Sequence, residues 1–183
     1  GRDVFSRTLI GTRITLLMAF VVVFLAALIG VIVGVSSGYF AGTLDLITQR
    51  VVEFVVAFPD LPLYLALLAL LPRRADPAIV FIMFSGILVL IRWASFSREI
   101  RGMVISIRSL DYVRSAEALG ASSSRILFRH IVPNTTSQII VWITIQLPDV
   151  ILLESFLSFL GVGVQPPMVS WGRMLNQILD FQS

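Results

Sequence analysis

The segment that decides the fold is ITLLMAFVVVFLAALIGVIVGV, Ile14–Val35, a run of 22 residues without a charged side chain. An α-helix needs about 20 apolar residues to cross the hydrocarbon core of a bilayer. The segment therefore predicts a membrane-spanning helix. The whole chain agrees with this, because its 183 residues are 57% hydrophobic and only 14% charged, whereas a soluble domain has about 25% charged residues.

Three further apolar segments predict three more spans, namely Val51–Leu71, Ala78–Ile91 and Ile139–Leu160. Extended by their neighbours, the four segments predict helices at about 14–40, 44–71, 78–101 and 137–160. We therefore expect an all-α fold, a polytopic transmembrane helical domain that occupies residues 1–183 as a single unit.

The residue types exclude most kinds of catalyst. The chain has no cysteine, one histidine (His130), and fourteen basic residues that are all arginine. Disulfides, thiolate nucleophiles, cysteine zinc sites, Schiff-base lysines and P-loop lysines are therefore impossible in this sequence. We expect no catalytic residue, no metal and no cofactor bound by the chain.

Small and polar residues inside the apolar segments are the candidates for packing and transport. Gly30, Gly34 and Gly38 recur every four residues, so they share one helix face and allow another backbone to approach closely. Ionisable groups at membrane depth are candidates for a translocation path. They are Asp60, Asp149 and Glu154, and for Glu154 the position near a helix end favours a structural hydrogen bond instead.

The region Arg92–Asn134 holds seven of the fourteen arginines and only three acidic residues. The positive-inside rule makes this region cytoplasmic, and four spans then place both ends of the chain outside. Within it, Asp111 predicts the cap of a short helix that ends at Leu119.

A left-handed residue at Gly120 is expected to hinge that helix to a second one, which Ser122 caps. Pro133 is expected to mark the end of this second helix or a sharp turn into the last span. The residues leave two uses open for such a helix pair. It can lie on anionic lipid, or it can dock into a groove of a soluble partner.

This region resembles the EAA loop of bacterial ABC-importer permeases. Gly120 and the ending Ile131-Val132-Pro133 match that loop, but the triplet reads Arg114-Ser115-Ala116, so an arginine stands where the family has glutamate. Glu117 lies one turn later. The resemblance implies two short cytoplasmic helices, in a loop at about 106–133, that couple to ATPase subunits. The coupling residues would be Tyr112, Arg114, Glu117, Leu119, Gly120, Ala121, Arg125 and Arg129.

Other strings resemble the dipeptide/oligopeptide/nickel-type permease subunits, and together they cover essentially the whole chain. They include GRDVFSR at the start, Ala57-Phe58-Pro59, LSFLGVGVQPP (Leu157–Pro167) and Ser170-Trp171-Gly172. The resemblance implies a type I ABC importer permease core whose first and last spans are absent here. It also implies an external amphipathic segment at about 161–183.

The same resemblance implies a function. The chain would be a multi-pass permease subunit of the bacterial or archaeal cytoplasmic (inner) membrane, forming the translocation path for di- and oligopeptides in an ATP-driven importer. Its partners would be a second homologous permease, two ATP-binding subunits that use ATP and Mg, an external substrate-binding protein and membrane lipid, but no nucleic acid.

Two other classes of protein remain as alternatives, a secondary transporter and a membrane scaffold that does not belong to the ABC family. A secondary transporter places several ionisable groups at the bilayer midplane and needs no cytoplasmic docking loop. The midplane here is poor in charge and the docking loop is prominent, so the importer is the favoured hypothesis.

Overall fold

The computed structural model describes residues 3–72, 76–164 and 167–180, and this part of the chain is helical without any strand. The expected all-α fold is confirmed. In chain order the helices are α1 (Val4–Phe40), α2 (Gly42–Val56), α3 (Asp60–Ala69), α4 (Pro77–Arg108), α5 (Asp111–Ala118), α6 (Ser123–Ile126), α7 (Val132–Phe159) and α8 (Trp171–Asp180), with a wider π-helical turn at Leu127–Ile131.

Among the described residues, three helices are long and apolar enough to cross a membrane: α1, α4 and the continuous helix from α6 through α7. The second predicted span is broken. It consists of α2 and α3, which meet at an angle of 82° and would together make a fourth span. Pro59 stands immediately before α3 in an extended conformation. Proline has no backbone N–H and disfavours a helical residue before it, which explains the break.

The chain forms two compact units, and the long helices contribute residues to both. The first unit comprises the described residues of Gly1–Phe24, Pro59–Leu90 and Ile145–Ser183. Its core is built from side chains that are nearly inaccessible to solvent. They include Met18 and Val22 of α1, Tyr64 of α3, Phe84 and Leu88 of α4, and Leu157 of α7.

The second unit comprises Leu25–Phe58 and Ile91–Thr144. Here the glycine stripe of α1 lies directly against α4. A Cβ atom on Gly30 would lie 2.8 Å from the ring of Phe96, and one on Gly38 would lie 2.9 Å from the backbone oxygen of Arg101. On its other side the Phe96 ring stacks on Trp142 of α7, with the ring centroids 4.2 Å apart. The glycines of α1 thus let this helix pack closely on α4, and the Phe96–Trp142 stack joins α4 to α7.

Candidate coupling surface

Helix α5 belongs to the second unit, and most of its side chains are exposed. Its buried side chain is the apolar Val113, at 1% exposure. Asp111 was predicted to cap this helix, but it is the first helical residue, and Leu110 occupies the capping position without a side-chain hydrogen bond. The turn instead starts on backbone bonds, because the N–H groups of Val113 and Arg114 both donate to the carbonyl oxygen of Leu110.

The end of α5 is a Schellman turn centred on Gly120. The N–H of Gly120 donates to the carbonyl of Glu117, and the N–H of Ala121 donates to the carbonyl of Ala116, each at 3.0 Å. Gly120 has φ +81°, the left-handed conformation that the sequence predicts. Because both bonds are made by the backbone, the turn gives the loop a defined shape at its tip.

The second helix of the loop runs on into the membrane. Ser122 does occupy the position before α6, but its hydroxyl contacts the hydroxyl of Ser124 at 3.3 Å and does not cap the backbone. Pro133 was expected to mark the end of the helix or a sharp turn into the last span, yet the helix continues through it. The π-helical turn Leu127–Ile131 ends two residues before Pro133, and the Val132 N–H donates to the carbonyl of Leu127, five residues earlier. In the same turn, Asn134 Nδ2 donates to the carbonyl of His130 at 2.5 Å.

Tyr112 joins the two helices of the loop. Its ring centroid lies 6.0 Å from that of His130, and its hydroxyl accepts a hydrogen bond of 3.3 Å from Asn134 Nδ2. Sequence reasoning selected Tyr112 but missed Asn134, which holds both Tyr112 and the His130 carbonyl. The angle between the two helices is therefore supported at Gly120 and, separately, at Tyr112.

Seven of the eight predicted coupling residues, all but Tyr112, line two concave surfaces of the second unit. One is a hollow of about 320 Å³ formed by the turn and the following helix. It is lined by Leu119, Gly120, Ala121, Arg125 and Arg129, together with Ala116 and His130. Leu119 is 89% exposed at its rim. This surface, called here the coupling hollow, collects five of the eight predicted residues.

The other concave surface is a cleft of about 400 Å³ that holds Arg114 and Glu117. Its remaining lining comes from the ends of α1 and α4 and from the start of α2, and it includes Gly38, Ala41, Asp45, Ile105, Arg108 and Ser109. The Arg108 guanidinium carbon lies 5.5 Å from the ring centroid of Tyr39, a cation–π distance. Arg114 and Glu117 thus lie beside the membrane helices of this unit.

Sequence reasoning missed an ion pair at this cleft. Arg101 of α4 donates from Nε and Nη2 to the two carboxylate oxygens of Asp45 of α2, both at 2.6 Å. Ser37 of α1 also donates to that carboxylate, and Gln49 donates to the Ser37 hydroxyl at 3.4 Å. The sequence shows an aspartate near the start of one apolar segment and, 56 residues later, one of several arginines after another. No local pattern pairs the two.

The three candidates for a translocation path lie in the first unit and have different surroundings. Asp60 is exposed at the first residue of α3, and Asp149 is exposed on α7. Glu154, also on α7, is buried to 1% exposure. Its carboxyl group accepts hydrogen bonds from Ser158 at 2.7 Å and from Thr15 of α1 at 3.3 Å.

Glu154 belongs to a network that ties the segment after α7, which was predicted to be external, to α1 and to α7 itself. The Trp171 backbone N–H donates to Thr15, its indole N–H donates to Thr12, and the Val164 N–H donates to Ser158, at 3.1–3.3 Å. The segment is described at 161–164 and 167–180, while Gln165 and Pro166 lie outside the described residues. Ser158, Val164 and Trp171, which lie within the motif Leu157–Trp171, therefore hold this segment on α1 and α7.

Residues 26–181 match the family model of the binding-protein-dependent transport system inner membrane component. The chain belongs to this transport family. The recognition drawn from the sequence is thereby confirmed, and so is the localisation, a multi-pass protein of the bacterial or archaeal cytoplasmic membrane.

Several known permeases resemble the chain along nearly its whole length. The oligopeptide transport system permease protein OppC of Bacillus subtilis (strain 168) is 38% identical over 96% of this chain. The dipeptide transport system permease protein DppC of the same organism is 39% identical over 96%, and the glutathione transport system permease protein GsiD of Pectobacterium atrosepticum is 37% identical over 97%. The chain spans 53–57% of the length of these relatives.

Proposed function

We propose that the chain is the permease subunit of an ATP-driven importer, and that it couples to ATP-binding subunits through the loop around Gly120. The observation that carries the proposal is the coupling hollow, a shaped and solvent-exposed surface in a chain that is otherwise largely membrane helix. Membership in the binding-protein-dependent transport family supports the same function.

The second unit offers a physical route for the coupling. This unit contains the loop helices α5 and α6, the cleft lined by Arg114 and Glu117, and the Asp45–Arg101 ion pair. Movement of an attached ATPase would therefore be passed to α1, α2 and α4 through packed helices and a bidentate ion pair, not through a flexible loop. ATP binding in the partner would select one of two arrangements of the spans, and hydrolysis would return the other.

The proposed function requires an assembly of several subunits. The permease would pair with a second homologous permease, two ATP-binding subunits that hold ATP and Mg, and an external substrate-binding protein. The chain itself would catalyse no reaction and bind no cofactor. Peptides are the proposed cargo class, because the relatives are named for oligopeptides, dipeptides and glutathione.

The test begins with the full-length permease carrying an affinity tag in its native membrane. Purification in mild detergent is expected to recover a second permease and ATP-binding subunits in stoichiometric amounts. After reconstitution into vesicles, ATP hydrolysis should rise when the substrate-binding protein and a peptide are added. A purified permease that lacks an ATPase, although the source membrane contains one, would overturn the proposal.

A further inference from the structure

We propose that the coupling hollow binds its partner by reciprocal insertion. Leu119 enters an apolar pocket of the ATP-binding subunit, while a carboxylate side chain of that subunit enters the hollow between Arg125 and Arg129. The inference rests on the proposed function and adds the chemistry of the partner's surface, an apolar pocket with an acidic projection next to it.

The position of Leu119 carries the first half. It is 89% exposed, and it lies at the end of α5, outside the helices long enough to cross a membrane. The Schellman turn that follows holds its backbone, so little conformational freedom remains to be lost on binding. An exposed leucine on a rigid projection gains free energy when an apolar pocket of a protein partner buries it.

The charges of the hollow carry the second half. Arg125 and Arg129 are four residues apart on one helix, both are exposed, and both line the hollow. In the described part of the chain neither forms an ion pair, and the lining of the hollow contains no carboxylate. A guanidinium group holds a carboxylate through two parallel hydrogen bonds. A carboxylate side chain therefore complements this hollow in charge and in shape.

The exposed face of α5 favours a protein over a lipid surface. Its apolar side chain Val113 is turned inward and buried, whereas Arg114, Ser115 and Glu117 are exposed. A helix that lies in a bilayer interface needs a continuous apolar face toward the lipid. Here Leu119 projects at the end of α5 beside a concave basic surface, and Phe128, 76% exposed, lies on the following helix. Exposed apolar side chains on two different helices fit a protein partner with matching relief.

The first experiment measures the affinity of the purified ATP-binding subunit for the full-length permease pair in nanodiscs of neutral lipid, at low and at high salt. The double variant R125Q/R129Q should weaken binding at low salt by about tenfold or more and flatten its salt dependence. L119A should weaken binding about tenfold at both salt concentrations. The control R50Q, which removes an exposed arginine on α2, should bind as the unchanged permease does.

A second experiment probes the environment of Leu119. The sequence contains no cysteine, so L119C in a permease without other thiols can carry an environment-sensitive fluorophore. Its emission should shift to the blue when the ATP-binding subunit is added, because the fluorophore enters an apolar pocket. An emission that stays unchanged in the bound complex would overturn the insertion of Leu119.

The outcomes separate this inference from the proposed function. If the ATP-binding subunit binds and neither arginine nor leucine variants change its affinity, the reciprocal insertion is wrong and the proposed function stands. If the arginine variants change only the adsorption of anionic lipid vesicles, the basic surface serves the membrane and the inference is again overturned. If the unchanged permease binds no ATPase, both the function and the inference fall.

Discussion

Gly34 of α1 faces Ser97 of α4 so closely that a Cβ atom on Gly34 would lie 2.5 Å from the Ser97 backbone oxygen. It would also lie 2.9 Å from the Cβ of Ile100. Neither neighbour is the mobile end of a flexible side chain, so an added methyl group must push the two helices apart. The Gly34→Ala substitution should therefore destabilise the second unit by about 1–3 kcal/mol, measured as a lower midpoint of thermal unfolding in detergent.

Gly102→Ala is the matched control for Gly34→Ala. Gly102 lies in α4 with ordinary helical geometry, and a Cβ there would meet nothing within 4 Å. Alanine has a higher helix propensity than glycine, so this variant should be as stable as the original protein or more stable by up to about 1 kcal/mol. Equal losses in both variants would mean that close packing of α1 on α4 is not what Gly34 provides.

The Asp45–Arg101 ion pair should stabilise the second unit more than an exposed pair does. The two side chains are 17% and 27% exposed and are joined by two hydrogen bonds. Asp45→Asn leaves Arg101 with a neutral partner and should cost about 1–2 kcal/mol. Arg101→Lys should cost a similar amount, because a lysine cannot make the bidentate contact. Thermal unfolding of the purified variants measures both effects.

The control for this ion pair is Arg50 with Glu53, whose side chains are 75% and 54% exposed. Arg50→Gln should change stability by less than about 0.5 kcal/mol, since exposed pairs contribute little. The exchanged pair of Asp45→Arg with Arg101→Asp should recover part of the loss caused by either change alone. A stability loss in Arg50→Gln as large as that in Asp45→Asn would contradict the interpretation.

Gly120→Pro should uncouple transport from ATP hydrolysis. Proline requires a negative φ and cannot donate the N–H bond to Glu117, so the Schellman turn cannot form. Assembly should remain possible because Val113 and Tyr112 hold α5 independently of the turn. In reconstituted vesicles we expect substrate-stimulated hydrolysis to fall several-fold while ATPase subunits still co-purify.

Gly120→Asn separates the backbone conformation from the loss of a side chain. A Cβ on Gly120 would meet nothing within 4 Å, and asparagine tolerates the left-handed conformation better than other side chains do. This variant should retain most of the coupled hydrolysis. Full coupling in the Gly120→Pro variant would show that the shape of the turn is not needed.

Glu154 should matter for stability, whereas Asp149 should matter for transport. Glu154→Ala removes the acceptor of the Ser158 and Thr15 hydroxyl groups in a buried site, which should cost about 1–3 kcal/mol. Glu154→Gln keeps an acceptor oxygen and should cost less. Both changes should loosen the segment after α7, measurable as faster hydrogen exchange around Trp171.

Asp149→Asn is the complementary variant on the exposed face of α7. If Asp149 belongs to the translocation path, its neutralisation should alter peptide uptake more than assembly or thermal stability. Uptake kinetics equal to those of the unchanged permease would remove Asp149 from the path. Uptake and stability can be measured on the same reconstituted sample, so the two carboxyl groups are compared directly.

The sequence determined those features that depend on short-range chemistry. A charge-free run such as Ile14–Val35 must lie in lipid or in a core, and only a helix satisfies its backbone groups there. Gly120 is left-handed because the backbone turn that ends α5 needs φ near +81°, which glycine adopts without strain. Asp111 and Pro133 show the limit of such local rules, since backbone bonds replace the cap and the helix continues through the proline after a wider turn.

The tertiary structure decided which side chains meet. Asp45 and Arg101 are 56 residues apart, and Thr15 and Glu154 are 139 apart, so no local pattern links them. Asp149 and Glu154 are five residues apart on α7, yet the first is exposed and the second is buried against Thr15 of α1. The position of Glu154 near a helix end suggested a structural hydrogen bond, but only the packing supplies its partner. Hydrophobic patterning specifies the helices, whereas their packing decides which polar groups lose water and must find a partner.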